Sequence, residues 1–465
     1  MRSYLIILCA LIASNVFGQQ VRKLSLNEAV ETAIKNAIEI QNLKLDEEIQ
    51  LAQNNEIKGS ALPQISADGQ MSYYTNLPQI PFPSSDINIY QVLEKEGVRD
   101  NNGNPINVGN ASFGIQAVSF VAPLNYQYGV GVQQLLFQPD VFVALQARQS
   151  VLDLARGNTE VAIEKVKEAV QKAYYSVLVA QNQKSTVDAT MQRLDKLSFE
   201  MGQMYKNGFV EKLDIDKLSV TLNNTKTAQN QINNGIAINL AVLKNALGIS
   251  QKDSIILTDP LDVSSLQADI IKLGQEVKYE DRSEYRLLGT AKRLQELDVK
   301  RFKMAYFPTV AAFYQFQRSG QRNDIYDVNG SGPWFAFNTG LVGLSIKQPI
   351  YDGGQKRHKI QQAKLKLQKI DNNIIQLSQY IDLENNIAKN SLTNAVLNLE
   401  VQKRNMELAE SVFNSTTKKY QSGLGSSFEV IQTDTEVQRA NGSYFQALYD
   451  AYVAKVNYLK SIGKL

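Results

Sequence analysis

Two segments of the chain, YKNGFVEKLD at 205–214 and YQSGLGSSFE at 420–429, contain the same interruption of a helical pattern. In each segment a tyrosine is followed by a glycine three positions later and by a carboxylate nine positions later. The matching residues lie 215 positions apart: Tyr205 and Tyr420, Gly208 and Gly423, Asp214 and Glu429. The same offset relates Leu247 to Ile462 and Gly248 to Gly463. A constant offset of this kind indicates the internal duplication of one structural unit.

The duplication predicts one long helix and two shorter helices in each half of the chain. The helical patterns cover 24–59, about 140–205 and about 211–246, then about 284–305, 355–420 and 427–460. Ser25 and Glu28 have the spacing of a capping box. A stripe of apolar residues in the first long helix steps by three and four positions, which is coiled-coil spacing: Ile163, Val166, Val170, Ala173, Val177 and Ala180. A helix of about 65 residues would extend about 100 Å, so we interpret the shorter helices as stacked end to end beside it.

Four segments between the helices change from helical periodicity to strict alternation. They are QISADGQMSYY at 64–74, YQYGVGVQQLLF at 126–137, TVAAFYQFQ at 309–317 and LVGLSIKQPI at 341–350. Alternation fits half-buried strands of a soluble sheet as well as strands of a membrane barrel. Four strands cannot close a barrel, because about eight is the practical minimum. The sequence therefore leaves two alternatives, a small open sheet or a barrel that several chains build together.

The first residues, MRSYLIILCALIASNVFGQQ, have the charge and the apolar core of a secretory signal peptide over residues 1–18. The only cysteine, Cys9, lies inside that segment, so the mature chain has no thiol for a disulfide or a metal site. Lys and Arg number 49 against 46 Asp and Glu, and removal of Arg2 leaves 48 and a net charge of +2. This balance argues against a nucleic-acid partner, which would need a concentrated basic surface.

The remaining chain is predicted to contain two structural repeats joined by a short segment. The predicted boundaries are 19–250 for the first repeat, 251–280 for the connecting segment and 281–465 for the second repeat, with helical tips at 205–211 and 420–427. The first repeat has 31 more residues between its strands than the second, because Pro63 and Pro308 are 245 positions apart while Gln134 and Gln348 are 214 apart. We expect this excess to form a long external loop at 75–125 with a short extra strand in 112–121.

Several junction sequences together resemble the TolC family of outer-membrane efflux proteins. ALPQISADGQ (61–70) and YFPTVAAFYQ (306–315) are similar to the family's helix-to-strand junctions. SIKQPIYDGGQ (345–355) is similar to its strand-to-helix junction, and YKNG and YQSG are similar to its periplasmic tips. In the first copy the aspartate-glycine pair of that junction is replaced by FQPD, where Pro139 suits the first turn of a helix.

The resemblance implies an α+β membrane protein in which three identical chains share one pore. Each chain would give four strands to a 12-stranded transmembrane β-barrel and four helical columns to a 12-helix periplasmic α-barrel. The homotrimer would sit in the lipid of the cell outer membrane, extend into the periplasm, and meet a periplasmic adaptor protein that links it to an inner-membrane pump. The implied function is a passive exit duct for efflux or type I secretion, and we expect small molecules to be its cargo.

The family's gate residues map onto the second tip and the helix after the first tip. The resemblance places Glu429 at an acidic ring of the pore and puts the uncharged Gln432 at the second ring position. Asp214 matches an acidic latch and Tyr420 its tyrosine partner, whereas the family's arginine partner falls on Gly425. Ordinary helix caps explain the same carboxylates, because Ser426 with Glu429 makes a capping box and a helix dipole favours Asp214 in a first turn.

The residues at the two tips, Gly208 with Phe209 and Gly423 with Leu424, have a structural and a functional interpretation. Glycine commonly ends a helix in the left-handed conformation. The resemblance adds that the exposed apolar neighbours would contact the hairpin of the adaptor. Both interpretations can hold together.

The rest of the sequence gives no support to an enzyme or to a cofactor. The single histidine, His358, cannot form a metal site or a hydrolytic triad alone. We expect it to join Lys356, Arg357 and Lys359 in a basic girdle at the level of lipid headgroups. The alternative to a channel is a secreted periplasmic coiled-coil scaffold whose strands only join subunits.

Overall fold

The computed structural model describes residues 22–84, 89–106, 114–263, 266, 277–323 and 334–465. The predicted signal peptide lies outside the described residues, as do parts of the external loop and of the connecting segment. The chain divides into two compact units. The helical unit contains the residues up to Asn54, Gln146–Val299 and Lys359–Leu465, and the strand unit contains Asn55–Leu145 and Lys300–His358.

The main helices have nearly equal lengths in the two halves of the sequence. In the first half they are α1 (Leu26–Asn36), α2 (Ile38–Ser60), α4 (Pro139–Lys206) and α5 (Lys212–Ala246). In the second half they are α6 (Ser283–Met304), α7 (Gln355–Gln421) and α8 (Ser427–Ser461). The long helices have 68 and 67 residues and the helices after the tips have 35 each, so the predicted lengths are confirmed.

The prediction of one continuous helix over 24–59 is wrong. Ala37 leaves the helical conformation with φ −58° and ψ 118°, and the segment is divided into α1 and α2. The predicted capping box is present at the start of α1, because Ser25 and Glu28 exchange side-chain and backbone hydrogen bonds. Leu24 belongs to a short strand, β1 (Arg22–Leu24), which pairs in parallel with β6 (Ile255–Leu257).

Within the helical unit, α2 and α5 lie along successive lengths of α4. The Thr159 hydroxyl of α4 donates to Glu47 of α2 at 2.6 Å, and Gln229 of α5 donates to Asp188 of α4 at 2.6 Å. Two shorter helices therefore share the length of one long helix, as their sizes predict.

The apolar stripe predicted along α4 is buried at its centre but is part of a wider face. Val170, Ala173 and Val177 are buried, and so are Tyr174 and Leu178 beside them. A strict coiled-coil seam is narrower than this. The face is wider because it packs against residues of α1, α5 and β1 in one cluster.

The strand unit is built on a four-stranded antiparallel sheet. Its strands are β2 (Gln64–Tyr73), β5 (Leu124–Phe137), β7 (Thr309–Arg322) and β8 (Phe335–Lys347), in the order β2-β5-β7-β8. The register brings Gly69, Tyr128 and Arg318 into one row across three strands. All four predicted strands are confirmed. β5 and β8 begin before the alternating segments and β7 continues past its segment, whereas β8 ends at Lys347, three residues before the predicted end.

The two faces of the sheet differ in chemistry as the alternation predicts. Following the register, one face carries Ile65, Val130, Phe316 and Val342, and the other carries Ser66, Gln127, Ser319 and Ser345. The apolar face is open in the single chain, since Ile65, Val342 and Ile346 are exposed. Among the described residues, the outermost strands β2 and β8 each pair on one side only.

The predicted external loop contains regular structure of its own. Strand β3 (Ile80–Ser84) pairs in antiparallel fashion with β4 (Gly114–Val118), and a short helix, α3 (Ile89–Lys95), follows β3. The short extra strand expected within 112–121 is therefore confirmed as β4. In the described part of the chain, no helix is both long and apolar enough to cross a membrane.

Candidate functional site at the paired helix tips

The two tips have the same backbone geometry. At the end of α4, Gly208 donates to the carbonyl of Tyr205 at 3.0 Å, and Phe209 donates to that of Met204 at 2.9 Å. At the end of α7, Gly423 donates to Tyr420 at 2.9 Å and Leu424 donates to Lys419 at 3.0 Å. This is the Schellman pattern, which satisfies the free carbonyls at a helix end. The φ angles of +78° at Gly208 and +75° at Gly423 explain why both positions are glycine.

The apolar residue after each glycine points away from the protein core. Phe209 is 81% exposed and Leu424 is 76% exposed. Leu213 and Phe428, in the first turns of α5 and α8, are exposed as well. Each tip thus presents two large apolar side chains to its surroundings, which is the property required of the predicted adaptor contact.

The helices that follow the tips are linked by one short hydrogen bond. The Ser427 hydroxyl, at the start of α8, donates to Asp214 in the first turn of α5 at 2.5 Å. Ser427 is buried and Asp214 is half-buried. The bond joins the two sequence repeats because its partners lie on opposite sides of the duplication, and a carboxylate acceptor makes it stronger than a neutral pair.

Tyr420, the predicted partner of Asp214, lies beside it but bonds elsewhere. Its hydroxyl contacts the Met204 sulfur at 3.9 Å. Burial raises the pKa of Tyr420, and the nearby Asp214 charge raises it further. The ring packs against a cluster of buried apolar residues under the tips: Leu194, Leu197, Met201, Leu218, Phe413, Val430 and Val437.

Gly425, which occupies the position of the family's arginine, has little room for a side chain. A Cβ atom added to Gly425 would lie 3.2 Å from the Tyr420 backbone nitrogen, which is closer than nearly all real contacts of this kind. The glycine therefore allows the chain to pass close to the end of α7.

The two predicted ring positions lie on the exposed side of α8. Glu429 and Gln432 are both exposed in the single chain. The backbone N–H of Glu429 donates to the Ser426 hydroxyl at 3.2 Å, which is the forward half of the predicted capping box. Glu429 therefore takes part in a helix cap and leaves its carboxylate free to face solvent.

Three polar residues on the buried stripe of α8 were not predicted from the sequence. Ser427, Asp434 and Asn441 are 6%, 1% and 5% exposed. They occur at seven-residue intervals, with Val430 and Val437 between them. A heptad count along α8 would have found them, because polar residues at seam positions stand out against the apolar ones.

Lys356, Arg357 and His358 of the basic cluster at the start of α7 belong to the strand unit, and Lys359 belongs to the helical unit. The Asp352 carboxylate accepts hydrogen bonds from the backbone N–H groups of Gly354 and Lys356, at 3.1 and 3.0 Å, and so caps the helix. The Lys356 ammonium lies 5.2 Å from the centre of the Tyr306 ring. Such cation and aromatic pairs suit a membrane interface. The described residues contain no group of His, Cys, Asp or Glu that could hold a metal ion.

Comparison with known proteins shows which family the sequence resembles. Residues 295–464 match the sequence model of the family described as outer membrane efflux protein. The match covers little more than a third of the chain, within its second half. No curated protein matches the chain in sequence.

The similarity of fold covers nearly the whole chain. With CusC the TM-score is 0.71 at 14% identity, over 94% of this chain and 91% of that chain. With the outer membrane protein VceC of Vibrio cholerae it is 0.65 at 13% identity, over 94% and 96%. With the open state of the MtrE outer membrane channel of Neisseria gonorrhoeae it is 0.66 at 15% identity, over 94% and 88%.

These findings confirm the resemblance to the TolC family. The sequence match to the outer membrane efflux proteins is limited to residues 295–464, and the solved structures, at such low identities, establish the mixed helix and sheet fold.

Proposed function

We propose that three copies of this chain form a passive, gated channel in the outer membrane that exports small molecules. The observation that carries the proposal is the four-stranded sheet. Its apolar face is exposed, and in the part of the chain that the structure describes its outer strands, β2 and β8, each have an unpaired edge. Unpaired edges tend to pair with another chain, and three sheets of four strands give the number needed to close a barrel.

The helical unit has a matching surface for other copies. α5 exposes the large apolar residues Leu213, Val220, Ile238 and Val242. Charged and polar side chains normally cover the solvent face of a helix, so a stripe of this kind favours burial in an assembly. The trimer would place it against a neighbouring chain.

Gating in this proposal takes place at the paired tips. The bond between Asp214 and Ser427 would hold the closed state, Glu429 would give three carboxylates around the pore, and Gln432 a neutral ring. Phe209 and Leu424 would dock the adaptor, through which an inner-membrane pump supplies the energy. We propose small molecules as the cargo.

Disulfide cross-linking tests the barrel directly, since the mature chain has no cysteine of its own. Ala67→Cys in β2 would be combined with Val342→Cys in β8, both on the apolar face. Oxidation in the outer membrane should produce covalent dimers and trimers, while either single variant stays monomeric on a denaturing gel. If the strands pair in a shifted register, moving the second cysteine to Gly340 or Leu344 restores the product.

Conductance and fractionation separate the channel from the scaffold alternative. Purified protein in a planar bilayer should show discrete current steps, and the protein in cells should resist extraction from outer membranes by salt. A chain that washes off with salt and gives no current would support the scaffold and refute the channel.

A further inference from the structure

The apolar face of the four-stranded sheet changes its chemistry at one end, the end away from the junctions with α2, α4, α6 and α7. Near those junctions the face is aliphatic, with Ile65, Val132 and Leu344. At the far end it carries two arginines and three aromatic residues, on β5, on β7 and directly before β8: Tyr126, Tyr128, Arg318, Arg322 and Trp334. These five side chains lie together on a face that is otherwise mostly aliphatic.

The three aromatic rings and Arg322 contact one another. The centre of the Tyr126 ring lies 5.9 Å from that of Tyr128 and 4.8 Å from that of Trp334. The Arg322 guanidinium lies 5.9 Å from the centre of the Trp334 ring, which is an attractive position for a cation. Gly320, the cross-strand partner of Tyr126, leaves room for the ring, because an added Cβ would collide with it. The ring therefore lies across β7 between the two arginines.

The positive charge at this end of the face comes from two side chains of β7. Arg318 is exposed and lies beside the hydroxyl groups of Tyr126 and Tyr128. Arg322 follows four residues later on the same face, so the two positions are about 13 Å apart along the strand. The four strands contain one acidic residue, Asp68, and it lies on the opposite face. The strands thus give the apolar face positive charge and no carboxylate.

This order of side chains is typical of the boundary between lipid chains and lipid headgroups. On β7 the face runs from Val310 through Ala312, Tyr314 and Phe316 to Arg318. Outer-membrane strands carry an apolar band of about 25 Å, with aromatic residues at both of its edges. A guanidinium group binds two oxygens of one phosphate at once and is therefore suited to phosphate recognition. The chemistry of the cluster fits a phosphate at the surface of a bilayer.

We propose that Arg318 and Arg322 bind the phosphate groups of a lipid headgroup in the outer leaflet of the membrane. Tyr126, Tyr128 and Trp334 would contact the upper part of the acyl chains of that lipid. The inference rests on the proposed channel, which turns the apolar face toward lipid and this end of the sheet toward the outside of the cell. It adds a lipid-binding site to that function.

Trp334 is the only tryptophan of the chain, so its fluorescence reports the lipids at this site alone. The full chain would be placed in phosphatidylcholine bilayers that contain a brominated lipid, which quenches tryptophan, with either a phosphatidic acid or a phosphatidylcholine headgroup. We expect phosphatidic acid to occupy the site at least about fivefold more strongly, the effect of one basic side chain near an anionic lipid surface.

The two possible failures of this experiment have different meanings. Equal quenching by the two brominated lipids would refute the phosphate site and leave the sheet in contact with lipid. The absence of quenching by either lipid would refute the site together with the lipid-facing sheet of the proposed channel.

Variants identify the groups that cause the preference. Arg318→Gln combined with Arg322→Gln should reduce the preference for phosphatidic acid to nearly one, while quenching by brominated phosphatidylcholine persists and shows that the sheet is still in lipid. The matched control is Lys356→Gln, a basic residue beyond the other end of the sheet, and it should keep the wild-type preference. An equal loss in this control would assign the preference to the overall charge of the protein and overturn the proposal.

Inorganic phosphate separates a lipid site from a site for a free anion. An excess of it should leave the preference for phosphatidic acid intact, because the lipid is also held by its acyl chains. If inorganic phosphate abolishes the preference, the arginines bind a free anion and the lipid assignment is wrong.

Discussion

Helices α5 and α8 follow the two tips, have 35 residues each and end in the same turn, yet they differ in burial. In α8 fourteen residues are buried, and Phe428 is the only large apolar side chain that it exposes. In α5 four residues are buried, while Leu213, Val220, Ile238 and Val242 are exposed. The two copies have kept the same backbone conformation, whereas the burial of their side chains differs. Helix α8 packs into the core of its own chain, and α5 retains an apolar surface for contacts outside that chain.

The largest expected difference between the copies concerns core packing. Leu448 of α8 is fully buried, and its counterpart at the offset of 215 is Asn233, which is exposed. Leu448→Ala should reduce the free energy of unfolding by about 2–5 kcal/mol, whereas Asn233→Ala should change it by less than about 0.5 kcal/mol. Thermal unfolding followed by circular dichroism measures both. A similar loss for the two variants would show that assembly buries α5 as deeply as α8.

The next effect concerns the bond across the tips. Removing it by Asp214→Ala or Ser427→Ala should favour the open channel by about 1.5–3 kcal/mol, the range for hydrogen bonds to charged groups. Open probability in single-channel recordings should then rise about 10- to 100-fold. Tyr420→Phe should behave as wild type, since its hydroxyl bonds to Met204 rather than to Asp214.

Glu429→Gln is the matched control, because it alters the carboxylate that corresponds to Asp214 in the other copy. It should leave open probability unchanged and lower the preference for cations. An increase for Tyr420→Phe equal to that for Asp214→Ala would assign the latch to the tyrosine.

A smaller, pH-dependent effect is expected at Asp434, whose counterpart in α5 is the exposed Ser219. Burial raises the pKa of Asp434, despite opposing contributions from Gln438 and Arg193. A carboxyl group with a raised pKa in the folded state binds its proton more tightly in the folded chain than in the unfolded chain. The folded protein therefore loses stability as pH rises from the unfolded-state pKa of this group to its folded-state pKa. Asp434→Asn should therefore stabilise the protein at neutral pH and lose this advantage in acid.

Melting temperatures at several pH values measure the Asp434 effect, with Ser219→Asn as a control that should show no change with pH. If Asp434→Asn is less stable than wild type at neutral pH, the charge interaction with Arg193 outweighs the cost of burial.

The parts of this fold that follow from local sequence were predictable, and those that depend on packing between helices were not. Glycine at the ends of α4 and α7 predicted the helix ends and alternation predicted where the four strands lie, because both reflect local backbone conformation. Ala37 carries no local signal for the break between α1 and α2. The pairing of Asp214 with Ser427 also needs the relative position of two helices more than 200 residues apart in sequence, which periodicity does not contain.

The smallest effect compares how the two helices begin. Ser426 at the start of α8 accepts a hydrogen bond from Glu429, whereas Glu211 at the start of α5 makes no side-chain bond to its helix. Ser426→Ala should cost about 1 kcal/mol of local stability and speed hydrogen exchange of the first-turn amides of α8 about fivefold. Glu211→Ala should leave exchange in α5 nearly unchanged. Should Glu211→Ala speed exchange as much, the Glu211 charge must act through the helix dipole, and the copies would then be capped with equal strength by different physical means.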